Sequence, residues 1–235
     1  MALLSGLKVR NALVKHQKGD VEGARRDYEA LLAEGVYKPN YLLPYSVLLL
    51  RDGGDENYQK VKKMLAKIQK APDLSKEDRS QLLMNFAVAD WKLGNKQKAI
   101  DLLEASHRER SCGLTYQTLG FLYVDAGQQE KALSFNTEAL DYDDEDPVVL
   151  DNMGQYHYRL IGDKVQAKNF FDKAHALKPS QIDTLWFLSR YDLEAGDERA
   201  AVEKLEKALE GRFSPLNFVS QEQVRQEIAR LKQNA

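Results

Sequence analysis

The sequence predicts an all-α solenoid of about six helical hairpins, closed by a C-terminal capping helix over 220–233. Three observations carry this reading. Glycines recur at presumed turns, Gly19, Gly53, Gly94, Gly127, Gly162 and Gly196, at intervals of 34, 41, 33, 35 and 34 residues. Seven residues before each glycine, eight before Gly162, stands a small residue: Ala12, Ser46, Ala87, Gly120, Gly154 and Ser189. Five residues after each, eight after Gly53, stand Ala24, Val61, Ala99, Ala132, Ala167 and Ala201. Repetition at a fixed period of roughly 20–50 residues marks a repeat architecture. A small residue midway along each of two amphipathic helices lets their backbones approach closely. The chain thus reads as a single domain over 1–235, with repeats at about 2–34, 40–70, 76–108, 113–141, 147–177 and 181–210.

The first hairpin pairs helices over 3–18 and 21–33, with Asp20 placed to cap the second by accepting a backbone N–H. Asp163 and Asp197 repeat this Gly-Asp junction. In the second hairpin the helix over 41–51 is almost wholly apolar (Leu42, Leu43, Tyr45, Val47, Leu48, Leu49, Leu50), so either neighbours cover it or it leaves an adhesive face. Pro44 is expected near its first turn, where a missing N–H matters least. The turn over 51–57 holds Gly53-Gly54, and the partner helix spans 58–70. Ser75 with Asp78 forms a capping box ahead of the third hairpin, helices 76–93 and 96–108.

The fourth hairpin, 113–146, carries Leu119-Gly120, Tyr123, Gly127, Ala132 and Ala139-Leu140. The fifth opens at Pro147 and has a first helix one residue longer than the rule; the sixth opens with Ser180 and Asp183, read as another capping box. Residues 211–217, with Pro215, read as a loop. Ser220 with Gln223 then starts a last helix over 221–233 that places Val224, Ile228 and Leu231 on one face and polar residues on the other. Such a helix suits the end of a stack.

Composition narrows the function. The net charge of −2 gives no overall field for nucleic acid or membrane. Residues 1–70 hold 13 Lys and Arg against 8 Asp and Glu, and the remainder 21 against 28, a drift read as solvated surface. Cys112 is the only cysteine, which rules out an intrachain disulfide and fits a reducing compartment. No apolar run reaches the ~18 residues of a membrane span, and 1–14 lacks the apolar core of a secretory signal. A cytoplasmic location is the expectation.

Catalytic and metal chemistry is not in evidence in the sequence. His16, His107, His157 and His175 are scattered, only the last two sharing a hairpin, without metal-ligand spacing. Cys112 has no adjacent base to activate it. The acids at 141 and 143–146 lack the glycine and terminal Glu of a calcium loop and read as a solvated turn. Lys60, Lys62, Lys63, Lys67 and Lys70 stripe one helix without the aromatic interleaving of a nucleic-acid surface. No catalytic residue, metal ligand or cofactor site is expected, and no nucleic-acid partner.

The spacing in the fourth hairpin resembles the tetratricopeptide repeat. The fifth adds Met153-Gly154, Ala167, Phe171, Ala174 and Pro179, and the sixth Leu185, Leu188, Ala201, Leu205 and Ala208; the first two hairpins match only in their small residues. The resemblance implies a right-handed superhelix whose concave face is lined by the first helices and binds peptides or segments of other proteins, generally without catalysis. Two groove positions, three before and one after each small residue, carry over to Val9 and Leu13, Leu43 and Val47, Met84 and Val88, Gln117 and Phe121, Asp151 and Gln155, and Trp186 and Arg190. A position four after it gives Tyr158 and Leu193, with Arg159 beside the former. The Lys–Asn pair that clamps chaperone C-termini in one subgroup is absent. Asn152, Gln155, Arg159, Trp186 and Arg190 offer instead a grip for a polar or acidic peptide. The alternative is a structural one, with Trp186 partly in the core and the arginines paired with Asp151, Asp183 or Glu194.

The function expected is therefore a protein-interaction scaffold. The rivals are self-assembly through the helix over 41–51 or over 1–14, peripheral membrane attachment through Leu3, Leu4, Leu7 and nearby basic residues, and RNA binding by a helical repeat.

Overall fold

A computed structural model describes residues 2–72 and 74–234, with the side chains of 2–4 and 234 outside the description. Leu3 and Leu4, named above for membrane attachment, therefore lie outside it. The described residues form helices and connections, with no strand. Contacts gather them into two compact units, Met1–Leu103 and Glu104–Ala235. One domain over 1–235 stands as a proposal.

Unit 1 holds α1 (Ala2–Gln17), α2 (Val21–Ala33), α3 (Pro39–Asp52), α4 (Asp55–Ala66), α5 (Lys76–Lys92) and most of α6 (Lys96–Glu109). Unit 2 holds the end of α6, then α7 (Gly113–Asp125), α8 (Gln129–Tyr142), α9 (Pro147–Gln155) running into a π-helical stretch (Tyr156–Ile161), α10 (Lys164–Leu177), α11 (Ile182–Glu194), α12 (Glu198–Leu209) and α13 (Gln221–Asn234). All six turn glycines of the ruler have positive φ, from 70° at Gly127 to 84° at Gly19, a conformation that costs other residues about 1 kcal/mol or more. Ala12, Ser46, Ala87, Ser189, Ala24, Val61, Ala99, Ala132, Ala167 and Ala201 are 0% exposed. These small residues of the ruler are thus fully buried.

Two glycines of the ruler leave space that side chains fill. A Cβ on Gly154 would stand 2.5 Å from the ring of Phe171, which occupies the vacant volume. A Cβ on Gly120 would stand 2.2 Å from the Asn136 side-chain oxygen. There the space admits amide side chains, not backbone: Asn136 donates to the Gly120 carbonyl at 3.3 Å, and Asn152 to the Gln117 carbonyl at 2.8 Å. Gly154→Ala is expected to cost about 1–3 kcal/mol by overpacking, although alanine gains about 1 kcal/mol in helix propensity. Urea denaturation measures this, and Phe171→Leu in the same chain should recover part of the loss.

The extra residue between Gly154 and Gly162 is taken up as π-helix, the single-residue insertion that this geometry absorbs. Helix starts follow the caps. Asp20, Asp163 and Asp197 accept from the backbone N–H of Gly23, Gln166 and Ala200 at 2.9–3.0 Å, and Ser75 from Asp78 at 3.0 Å. Ser220 and Gln223 cap reciprocally, at 3.2 and 2.8 Å.

Three expectations are corrected. Ser180 and Asp183 form no capping box: α11 starts after Gln181, and the Asp183 carboxylate turns away to the segment after α12. Pro44 lies inside α3, because that helix begins earlier, with Pro39 in its first turn. α4 starts at Asp55 and ends at Ala66, earlier than the hydrophobic pattern suggested, since Gly54 supplies the break directly before it. In unit 1 the apolar α3 is covered: Leu42, Leu43, Tyr45, Leu48, Leu49 and Leu50 are all buried. α13 buries Val224, Ile228 and Leu231 against Leu205, Ala208 and Val219.

Candidate functional site

Unit 2 contains a cavity of about 500 Å³. α7 contributes Leu114, Gln117, Thr118 and Phe121; α9 contributes Val148, Asp151, Asn152 and Gln155; Lys178, Ser180, Gln181, Ile182 and Asp183 come from the start of α11 and the connection before it. Gly211, Arg212, Ser214, Leu216 and Asn217 close it from the segment after α12. Five residues expected in the groove therefore meet here: Gln117, Phe121, Asp151, Asn152 and Gln155. Tyr158, Arg159, Trp186 and Arg190 do not line this cavity, and Met84 and Val88 are buried on α5 in unit 1.

Polar side chains in this region are tied to one another. Gln117 donates to Asp146 at 2.6 Å, and Asp146 also caps α9. Asp151 accepts from Gln155 at 2.7 Å and from Thr184 at 2.6 Å. Arg159 extends the chain, donating to Gln155 and to Asp125, both at 2.9 Å, and stacking 4.3 Å over Phe218. Asp183 accepts from the Asn217 amide and the Phe218 N–H at 3.0 Å each, and from the Val219 N–H at 3.3 Å. This carboxylate pins the segment after α12 to α11.

Asp151 and Asp183 are 3% and 6% exposed, and Asp183 raises the cost of charging Asp151. Burial first, then Asp183, pushes the Asp151 carboxyl up to about 7, against the pull of Thr184, Gln155 and Gln181. Burial also raises Asp183, opposed by its donors Asn217, Phe218 and Val219 and by Arg159. Among the described residues neither carboxylate makes an ion pair. Gln181, 8% exposed, donates to the Pro147 carbonyl at 2.9 Å, and its Oε1 is buried without a partner.

The arginines make neither the free grip nor the pairs weighed from sequence. Arg159 pairs with Asp125. Arg190 pairs with Glu227 on α13 at 2.6 Å and stacks 4.2 Å from the Trp186 ring. Arg230, then Arg190, hold the Glu227 carboxyl down at about 2. Trp186 is half-buried against the core. Tyr158 packs on Phe187 at 5.1 Å and Tyr191 at 5.9 Å. Of the histidines, His157 and His175 have their pKa values lowered by burial. No cluster suited to a metal ion occurs among the described residues.

Sequence reasoning missed Thr118, Gln181, Asp183, Leu216 and Asn217 as cavity residues. Its one usable signal was the apolar content of the supposed loop and of the two residues after it, Phe213, Leu216, Phe218 and Val219. A second cavity, of about 540 Å³, lies on α1 and α2 in unit 1. Its charges already pair, Lys8 with Glu34, and Lys15 with Asp27 at 2.7 Å.

Consecutive hairpins with buried small residues, and a cavity walled by successive first helices, define an all-α helical-repeat protein. Its fold is that of the tetratricopeptide-repeat proteins. A thermophilic protein of this kind from Thermus thermophilus superposes with a TM-score of 0.65 at 18% identity, covering 83% of this chain and 100% of its own. PilW, a widely conserved type IV pilus biogenesis factor, gives 0.62 at 15% identity over 96% and 98% of the two chains. The Cut9–Hcn1 hetero-tetramer of the APC/C gives 0.62 at 17% identity, over 88% of this chain and 38% of the other. No family model and no curated protein matches the sequence. Among the described residues no helix is long and apolar enough to cross a membrane.

Proposed function

We propose that this chain is a non-enzymatic interaction scaffold that seats a segment of a partner protein in the cavity of unit 2. The carrying observation is a preformed opening of about 500 Å³ with apolar walls (Leu114, Phe121, Val148, Ile182, Leu216) and buried polar groups on its floor. Cavities of this size and mixed lining are where ligands are held, and walls already ordered by helix packing spare most of the ordering cost of binding. A solved neighbour that is part of a hetero-tetramer supports a protein partner. A cytoplasmic setting and the absence of any cofactor belong to the same proposal.

Val148, half-buried at the start of α9, is the place to obstruct the cavity. Peptides enriched from a random displayed library against the wild-type chain are expected to bind Val148→Trp at least about tenfold more weakly, a loss of about 1.4 kcal/mol. Circular dichroism and melting should be unchanged. Equal affinity for both proteins would remove this cavity as the seat.

A further inference from the structure

We propose that the floor of the unit 2 cavity, formed by Asp151, Asp183 and the free Oε1 of Gln181, receives an arginine side chain of the bound segment. This rests on the scaffold reading above and adds the chemistry of the anchor. Every one of these groups is an acceptor. The two carboxylates have about four lone-pair directions each. Asp151 gives two to Gln155 and Thr184, and Asp183 gives three to Asn217, Phe218 and Val219. The Gln181 amide is oriented by its NH₂, which donates to the Pro147 carbonyl at 2.9 Å. Its oxygen is buried and lacks a donor, and the residue lines the cavity. An unmet buried acceptor costs about 1–3 kcal/mol, and the two carboxylates, which make no ion pair and feel Arg159 only through Asp183, add their repulsion. One donor-rich cation answers both.

Guanidinium matches this set better than ammonium: five donors in a planar fork serve three separate acceptor groups, and its weaker hydration lowers the cost of entry. Its aliphatic stem would lie along Phe121, Ile182 and Leu216. The usual objection to a buried ion pair is the cost of dehydrating both partners. Here the carboxylates are dehydrated already by the fold, so only the incoming cation loses water. Lys178 and Arg212, also in the cavity lining, are exposed cations whose field opposes the entry of another.

The probes are acetyl-Ala-Arg-Ala-amide and its counterparts with citrulline and with lysine, titrated into the full chain at pH 7.5 and followed by amide chemical shifts. Saturable binding of the arginine peptide, with shifts at Asp151, Gln181 and Asp183, is expected. Citrulline, the uncharged isostere, should bind at least about tenfold more weakly, and lysine weaker than arginine. Asp151→Asn, whose folding is checked by melting, should lose about tenfold for arginine and little for citrulline. Equal binding of arginine and citrulline, full affinity in Asp151→Asn, or no saturable shift with arginine would each overturn the assignment. Library peptides that bind in the cavity without any arginine would overturn it while leaving the scaffold reading in place.

Discussion

Phe171→Ala is expected to lower the stability of unit 2 by about 3–5 kcal/mol, the range for removing a fully buried aromatic ring. Phe171 is 0% exposed, and its ring stacks on Phe187 with centroids 4.9 Å apart and planes 6° from parallel. The lost volume cannot be refilled from the α9 side, because the residue facing it is Gly154, which has no side chain to move. Nor is Phe187 free to shift, since Phe218 lies 5.0 Å away on its own contacts. The site should therefore collapse poorly and lie toward the costly end of the range. Trp186 lies in unit 2 and Trp91 in unit 1, so a Trp91→Phe background lets fluorescence follow unit 2 alone through urea denaturation. Leu133→Ala on α8, where the side chain is 42% exposed, is the control and should stay within about 0.5 kcal/mol. A loss below about 1 kcal/mol for Phe171→Ala would mean that the ring is not what holds α9 against α10.

The same pair shows why the hairpins were legible in the sequence. Close helix packing leaves room for almost nothing, so Gly154 and Ala167 record it directly, whatever surrounds them. Turn glycines are equally direct, because positive φ excludes most other residues. Even the extra residue before Gly162 carried its meaning, though only the coordinates show that it is spent as π-helix.

Polar groups were harder to place, for a definite reason. Asp183 three residues after Ser180 has the spacing of a capping box, but whether it caps or reaches elsewhere depends on what lies beside α11. The structure places Asn217, Phe218 and Val219 there, 34–36 residues on. Other bonds of the network have nearly the same reach: Gln117 to Asn152 spans 35 residues, Asp125 to Arg159 34, Asp151 to Thr184 33, and Pro147 to Gln181 34. In a repeat protein the spatial neighbour of a residue is one period away. The pairings of Arg159 and Arg190 follow from that rule, with Glu227 lying 37 residues from Arg190. The notion of free arginine grips ignored it. The meeting of Asp151 with Asp183, 32 residues apart, follows the same rule.

That meeting supplies a pH test of the cavity that needs no ligand. Asp151→Asn is expected to be more stable than the wild type at pH 8 by on the order of 2–4 kcal/mol, and nearly equal to it at pH 4. The sign follows from proton counts. Asp151 has its pKa raised in the folded chain relative to the ordinary carboxylate value near 4. Between those values the native state holds more protons than the unfolded one, so stability contributed by the neutral carboxyl is present at low pH and is lost as pH rises towards about 7. The groups facing Asp151 are Gln155 from its own helix and Gln181, Asp183 and Thr184 from α11 and its N-terminal cap, with Arg159 acting on the pair through Asp183. None of the donors among them changes charge in this range. Asparagine keeps the shape and removes the charge, so the wild-type penalty should vanish from the variant's stability profile. Thermal melting of both proteins from pH 4 to pH 8 reads the difference directly. A constant gap, or a variant weaker at pH 8, would mean that Asp151 is ionised without penalty. It would also withdraw the unmet negative charge on which an arginine anchor depends.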